Sequence, residues 1–216
     1  MQNQWIGGFL LVGVLSSPVM AESHSGGAVM ITGSTRSVNV SLYGEECIIE
    51  RNQSKNNPVH GMYNTTNRGK IQPINLGHGI QTIGELELID LMKQAESDSS
   101  ILIVDTRTPG WHANLRIPCS INVPFTDFAE NYDDALFQLT ETFGVVERDN
   151  GKLDFSNAKT IVGYCNGYWC GQTPGMYMRA KYSLLNLGYP AEKLKYYRGG
   201  MQAWTSLGLT VIGSQQ

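Results

Sequence analysis

The chain reads as an α/β domain of three layers built on a mainly parallel sheet, with an N-terminal β-hairpin extension. Three observations predict this. The runs "ILIVD" from Ile101 and "TIVGYC" from Thr160 are apolar without alternation, as expected of strands buried on both faces of a parallel sheet. They alternate with stretches of helical spacing, the order of successive strand–helix–strand units. Ahead of them, "SVNVSLYGEECIIER" alternates Val38, Val40 and Leu42, turns at Tyr43-Gly44 and returns through Cys47 and Ile49, which is a hairpin pattern.

Residues 1–21 carry an apolar core from Trp5 to Leu15, a helix-breaking Pro18 and the small or apolar Val19-Met20-Ala21. They read as a secretory signal cleaved after Ala21. No Lys or Arg precedes the apolar run, so the amino terminus alone supplies positive charge, and the run is short for a membrane span of about 20 residues. The expectation is an exported protein, periplasmic if bacterial, with no membrane attachment after cleavage; an uncleaved anchor is the alternative. Residues 22–80 form the extension: a small-residue spacer, the hairpin, and then 52–79, rich in Asn, Gly, Thr and Pro. That composition predicts an irregular connection draped over the main domain without a core of its own.

The main domain is expected over 81–212. "TIGELELIDLMKQAE" places Leu86, Ile89, Leu91 and Met92 near helical spacing, and the strand from Ile101 follows. "SINVP", Ser120 to Pro124, predicts a second strand, and Phe125 to Phe143 a helical stretch. After the strand from Thr160 to Cys165, Thr173-Pro174 reads as a helix start and Gly188 as its stop. A short strand at "KLKYY" and a last helix at "GMQAWTSLG" complete the run.

The 16 Lys+Arg against 19 Asp+Glu give a formal charge of −3 with no basic cluster, which argues against a nucleic-acid partner. No Walker or dinucleotide glycine pattern is present, so no organic cofactor is implied. His24, His60, His78 and His112 show no metal-ligand spacing with any cysteine pair, and two cysteines alone do not complete a tetrahedral zinc site, so no metal is expected. Four cysteines, Cys47, Cys119, Cys165 and Cys170, are too few for a disulfide-built scaffold.

The chemistry is expected in "YCNGYWCGQTPG", Tyr164 to Gly175. In an open parallel sheet the site lies at the carboxyl ends of the strands, and Cys165 stands there, at a strand end with a helix starting within a turn. Unpaired backbone N–H groups and a helix N-terminus favour thiolate over thiol. Gly167 and Gly171 suit a loop that wraps around one atom. Asn166, Gly167, Tyr168, Trp169 and Gly171 are the candidate substrate-binding loop, and Cys165 and Cys170 the candidate catalytic thiols. Tyr168 and Trp169 wall a pocket or simply pack. Asp105 and Arg107 read as a structural ion pair near the site rather than a catalytic pair.

Three segments carry a family resemblance. "VDTRTPGWHANLRIPCSINVP", "VGYCNGYWCGQTP" and "YYRGGMQAWTSLGLTV" occur in order with ordinary spacing and resemble, respectively, the Asp-x-Arg to Asn-Ile-Pro signature, the active-site loop and the closing Gly-Gly-x-x-x-Trp segment of the rhodanese family. The resemblance implies the rhodanese-like fold and a sulfurtransferase of the thiosulfate sulfurtransferase type: Cys165 takes a sulfane sulfur from a donor such as thiosulfate or a persulfide, holds it as a persulfide, and passes it to a thiol or cyanide-like acceptor, including a protein thiol. The active-site loop and the His-Ile-Pro-Gly-Ala segment, here Arg116-Ile117-Pro118-Cys119-Ser120, depart from the pattern. Cys170 stands where the family commonly carries a basic residue, and Cys119 replaces the glycine of His-Ile-Pro-Gly-Ala.

Cys170 opens a second mechanism, in which it resolves a persulfide on Cys165 and the protein works as a thiol–disulfide oxidoreductase; packing beside Trp169 is the alternative. A non-catalytic binding module is the third class. Cys47 and Cys119 are left over and free to pair in an oxidising compartment.

Overall fold

A computed structural model describes residues 27–215; the expected signal segment lies outside the described residues, apart from which no described helix is long and apolar enough to cross a membrane. The hairpin forms from β1 (Ser37–Leu42) and β2 (Glu45–Glu50), paired antiparallel. Tyr43 and Gly44 both take positive φ, 55° and 80°, the signature of a two-residue turn whose twist matches its strands. Every second residue of each strand is buried, from Val38 to Ile49.

The central sheet has five strands, every neighbouring pair parallel, in the order Gln81–Ile83, Leu194–Tyr197, Thr160–Tyr164, Ile101–Asp105, Ile121–Asn122. The strands are β3 (Gln81–Ile83), β4 (Ile101–Asp105), β5 (Ile121–Asn122), β8 (Thr160–Tyr164) and β9 (Leu194–Tyr197). A small hairpin of β6 (Val146–Glu147) and β7 (Leu153–Asp154) stands apart. In β4, Ile101 and Ile103 join one apolar cluster while Leu102 and Val104 join the other. This two-sided burial is why the run shows no alternation.

One layer consists of the β1–β2 hairpin, α1 (Glu85–Ala95) and α5 (Gly200–Ser206), packed around Tyr197 and the fully buried Trp204. The opposite layer is built from a 3-10 turn at Phe125–Phe128, α3 (Tyr132–Phe137) with its π-helical continuation Gln138–Thr142, and α4 (Gln172–Pro174) with its continuation Gly175–Arg179. A further short helix, α2 (Pro109–Asn114), follows β4. The hairpin thus belongs to the main core. Its turn residue Tyr43 also covers the free edge of β4: the hydroxyl accepts from Ile103 N–H at 2.9 Å and donates to Ile101 carbonyl at 3.5 Å.

Three local expectations are corrected. Gln81–Ile83 is an edge strand, so the first helix starts only at Glu85, with Glu87 closing back on the Gly84 N–H at 3.0 Å. Its buried face is Leu88, Ile89, Met92 and Ala95, whereas Leu86 is exposed. The stretch 125–143 is interrupted where Asn131 caps α3 by accepting from Asp133 N–H at 3.0 Å. The helix expected from Thr173 to Gly188 stops at Arg179, because Leu184 and Leu185 N–H donate back to the carbonyls of Met176 and Tyr177 and fold the chain onto itself.

Cys47 and Cys119 form a disulfide with Cα atoms 6.1 Å apart, tying the hairpin to the domain. Cys119 also explains its own departure from glycine. Its φ is +55°, the left-handed region that costs a non-glycine residue about 1–2 kcal/mol. Closing a separation of 72 residues is worth about 4 kcal/mol in the chain-entropy account, so the cross-link outweighs the strain.

Candidate active site

Cys165 directly follows β8 and lies between β9 and β4, at the carboxyl edge of the sheet. Two neighbours shape its loop. Met201 and Gln202 N–H, at the start of α5, donate to the carbonyls of Cys165 and Asn166 at 3.0 and 2.9 Å. With those carbonyls turned towards α5, the following peptide N–H groups turn the other way, that of Gly167 towards the Cys165 sulfur and that of Asn166 towards Cys170. Contact this close leaves no room for side chains. A Cβ on Gly200, which sits at φ +54°, would drive into the Cys165 carbonyl oxygen, and one on Gly167 would lie 2.8 Å from the Gln202 Cβ. The Gly-Gly segment and the loop glycine are one interlock.

The Cys165 sulfur is buried, 1% exposed. Burial alone would push its thiol up. Hydrogen bonds from the Cys170 thiol, the Thr173 hydroxyl and the N–H groups of Thr173 and Gly167 outweigh that, and bring it down from 9.0 to about 7. Cys170 moves the opposite way: its proton is held by the Cys165 sulfur and by burial, so its pKa rises far above the ordinary range. One thiol ionises and the other donates to it. The helix start matters less than expected, since α4 is a single turn; discrete N–H and O–H donors replace a dipole. Thr106 lies behind Thr173, with hydroxyl oxygens 2.8 Å apart. The Thr106 hydroxyl also lies 3.0 Å from the Tyr164 carbonyl, so its one proton goes either to that carbonyl or, when Thr173 donates to the sulfur, to Thr173.

Asp105 and Arg107 are fully buried and paired in a fork, Nε to Oδ1 at 2.9 Å and Nη2 to Oδ2 at 2.7 Å. Burial works against the Asp105 carboxylate, but hydrogen bonds from His112 and Arg107 keep it below the usual carboxylate range. Arg107 Nη1 reaches the Tyr63 hydroxyl at 2.9 Å and Asn166 Oδ1 at 3.3 Å, and Tyr63 donates to Asn166 Oδ1 at 2.7 Å. This buried chain fixes the loop from beneath. It joins Asp105, Arg107 and Asn166, all read from the sequence, to Tyr63, which was not.

The connection 52–79 crosses the loop as a strap. Gln72 N–H donates to Tyr168 carbonyl at 2.7 Å and Gln72 Nε2 to Trp169 carbonyl at 3.4 Å. A Cβ on Gly69 would lie 3.0 Å from the Trp169 ring. Arg198 donates twice to Gln72 carbonyl, at 3.0 and 2.8 Å, while its guanidinium covers the Tyr168 ring at 4.9 Å. Tyr168 is exposed on its far side and Trp169 half-buried. Gly171 lies at the surface near Arg179. Sequence reasoning brought together the two thiols and the loop but missed Thr173, Tyr63, Gln72 and Arg198. Thr173, a hydroxyl within the loop itself, was findable; Tyr63 and Gln72 sit in aperiodic sequence that carries no signal.

A buried thiol with a lowered pKa, held in a loop at the carboxyl edge of a parallel sheet, is the candidate active site of this α/β domain. The rhodanese-like domain family model matches residues 87–207, and the chain belongs to that family. Among solved structures it is similar to a Bacillus halodurans protein (19% identity over 63% of this chain and 79% of that one, TM-score 0.45). The thiosulfate sulfurtransferase of Pseudomonas aeruginosa matches at 18% identity over 63% of this chain but only 21% of that enzyme, TM-score 0.42. A rhodanese-related protein of Thermoplasma volcanium matches at 20% identity over 61% and 97%, TM-score 0.33. No curated protein matches.

Proposed function

We propose that the chain is a sulfurtransferase that carries a sulfane sulfur as a persulfide on Cys165. The observation that carries this is the set of donors converging on one buried sulfur: a thiol brought to about 7 is substantially thiolate at neutral pH, and the same donors suit the terminal sulfur of a persulfide. The thiolate attacks the outer sulfur of a donor such as thiosulfate, the sulfur–sulfur bond breaks, and its electron pair leaves with sulfite. An acceptor thiol or cyanide then takes the outer sulfur and regenerates the thiolate. Export to an oxidising compartment is part of the proposal. The Cys47–Cys119 disulfide supports it.

The Cys165 sulfur lies 3.5 Å from the Cys170 carbonyl, and the two thiols shift each other's ionisation in opposite directions; this proximity favours a second step. The Cys170 thiol attacks the inner sulfur of the persulfide, giving a Cys165–Cys170 disulfide and hydrosulfide; an external thiol reduces that disulfide. Intact mass before and after thiosulfate tests both readings. Wild type should gain one sulfur atom and lose it to cyanide, Cys165→Ser should gain none, and Cys170→Ser should hold the sulfur longer. Loss of two hydrogens dependent on both cysteines, with no sulfur retained in any variant, would make the protein a dithiol oxidoreductase. Failure of Cys165 to react faster than an ordinary thiol at neutral pH would leave a binding module.

A further inference from the structure

A hollow that the sulfur chemistry does not use lies away from the thiol loop. A cavity of about 760 Å³ opens between the start of the 52–79 connection and the C-terminal segment that follows α5. Its two walls are fastened to each other. Asn52 N–H donates to the Gly208 carbonyl at 2.7 Å, Thr210 N–H to the Glu50 carbonyl at 3.0 Å, and Glu50 N–H to the Thr210 hydroxyl at 2.9 Å. Further out, His60 Nδ1 accepts from Met62 N–H at 3.2 Å, which places the ring proton on Nε2, and Nε2 donates to the Gln215 carbonyl at 2.5 Å. The hollow is thus held open by the fold, as ligand sites usually are.

One charged side chain in its lining has unused capacity. Arg51, half-buried just past β2, donates from Nη1 to the Met30 carbonyl at 3.3 Å. Its Nε is buried without a partner, and its Nη2 makes no hydrogen bond among the described residues. No ion pair among the described residues includes it. Glu50 does not neutralise it, because the alternation along β2 sets Glu50 on the open face of the hairpin and Arg51 on the other. Buried donors without partners are rare, and a ligand is one way to satisfy them. The remaining lining limits what that ligand is. Pro58, Val59, Leu209 and Val211 form an apolar wall, which calls for an apolar body. Arg51 is the one Lys or Arg among the lining residues, so a single negative charge is matched and a second would be desolvated without a partner.

We propose that this cavity binds a small monocarboxylate with an apolar body, its carboxylate on the Arg51 guanidinium and its body against Val59, Leu209 and Val211. The two nitrogens that Arg51 leaves unused, Nε and Nη2, are the pair that grips a carboxylate in a fork. Arg107 uses the same two on Asp105, at 2.9 and 2.7 Å. The nitrogen outside that fork, Nη1, is the one already engaged by Met30. The thiols take no part. Helix α5 separates the two places: Thr205 lines the cavity, while Met201, one turn earlier, holds the Cys165 carbonyl. The ligand is therefore a second molecule and not the sulfur donor, and the site stands whether or not Cys165 carries sulfur.

The test is a ligand-observed NMR titration of the intact purified protein at neutral pH. The probes are phenylacetate, a rigid monocarboxylate, and phenylacetamide, its neutral counterpart. Phenylacetate should saturate one site with a Kd of about 1 mM or tighter. Phenylacetamide should bind about tenfold more weakly, the loss expected when a charge-assisted fork becomes a neutral contact, and added salt should weaken phenylacetate alone. Arg51→Gln should bring phenylacetate to the phenylacetamide level. Asn57→Trp enlarges an exposed lining residue into the cavity and should weaken both probes; it decides the matter if Arg51→Gln does not fold. Cys165→Ser should bind as wild type does. The proposal is overturned by a failure to saturate at about 10 mM phenylacetate, by equal affinity for the two probes, or by unchanged phenylacetate affinity in either folded cavity variant. Loss of binding in Cys165→Ser would move the ligand to the thiol loop and overturn it as well.

Discussion

Replacing Cys170 by alanine removes the largest of the contacts that favour the Cys165 thiolate. In the wild type those contacts first offset burial and then lower the pKa from 9.0 to about 7, a net preference of about 2.7 kcal/mol for the ionised form. Four donors share the work. An equal share of the net effect alone would be about half a unit, and a hydrogen bond to a charged group is worth about 1.5–3 kcal/mol, or about one to two units. The Cys165 midpoint in Cys170→Ala should therefore rise to about 8 or higher. At pH 7 the thiolate fraction then drops from about half to about a tenth. The assay is the iodoacetamide rate from pH 5 to 10, with the modified residue located by mass and Cys165→Ser as the blank. Thr173→Val should move the midpoint the same way by less. A midpoint that stays near 7 in Cys170→Ala refutes the reasoning, because Cys170 would then be a bystander.

Three further outcomes are expected. Cys165 titrates at about 7 when folded and near 9 when unfolded, so the unfolded chain binds more protons between those values and stability rises with pH across that window. The contribution is fully present above about pH 9 and is lost as pH falls through 7; urea titrations of wild type against Cys165→Ser should diverge by about 2 kcal/mol between pH 7 and 9. Cys47→Ala removes the cross-link over 72 residues and should cost up to about 4 kcal/mol, whereas adding Cys119→Gly to that variant should return about 1 kcal/mol by relieving the left-handed backbone. Equal stability of the single and double variants in chemical denaturation would show that the strain is not felt. Gln72→Ala removes only the side-chain contact of the strap to the Trp169 carbonyl, the backbone bond to Tyr168 staying in place, and should speed alkylation of the 1%-exposed Cys165 slightly with little change in melting temperature; an unchanged rate would mean that the Gln72 side chain does not hold the strap over the sulfur.

The sequence by itself determined the elements whose pattern is local. Continuous apolar runs marked β4 and β8 because both of their faces are covered. Alternation marked the hairpin because only one face of it is. The position of Cys165 at the end of β8, with glycines and a second thiol in the following loop, made the candidate nucleophile legible.

Helix lengths were not legible where a long-range contact ended them. Leu184 and Leu185 turn back onto Met176 and Tyr177, and no residue near Arg179 announces it. Tertiary structure also decided what governs the thiolate. The expected helix dipole gave way to donors from Gly167, Cys170 and Thr173, held in place by α5 from one side and by Tyr63 and Gln72 from the other. The residues that lock the loop lie some 35 to 100 positions from Cys165 in the chain; only folding brings them within a hydrogen bond of it, and hydrogen bonds between distant residues leave no periodicity in a sequence. The same holds for Cys119, whose strained backbone and distant partner Cys47 become one feature only once the hairpin has docked.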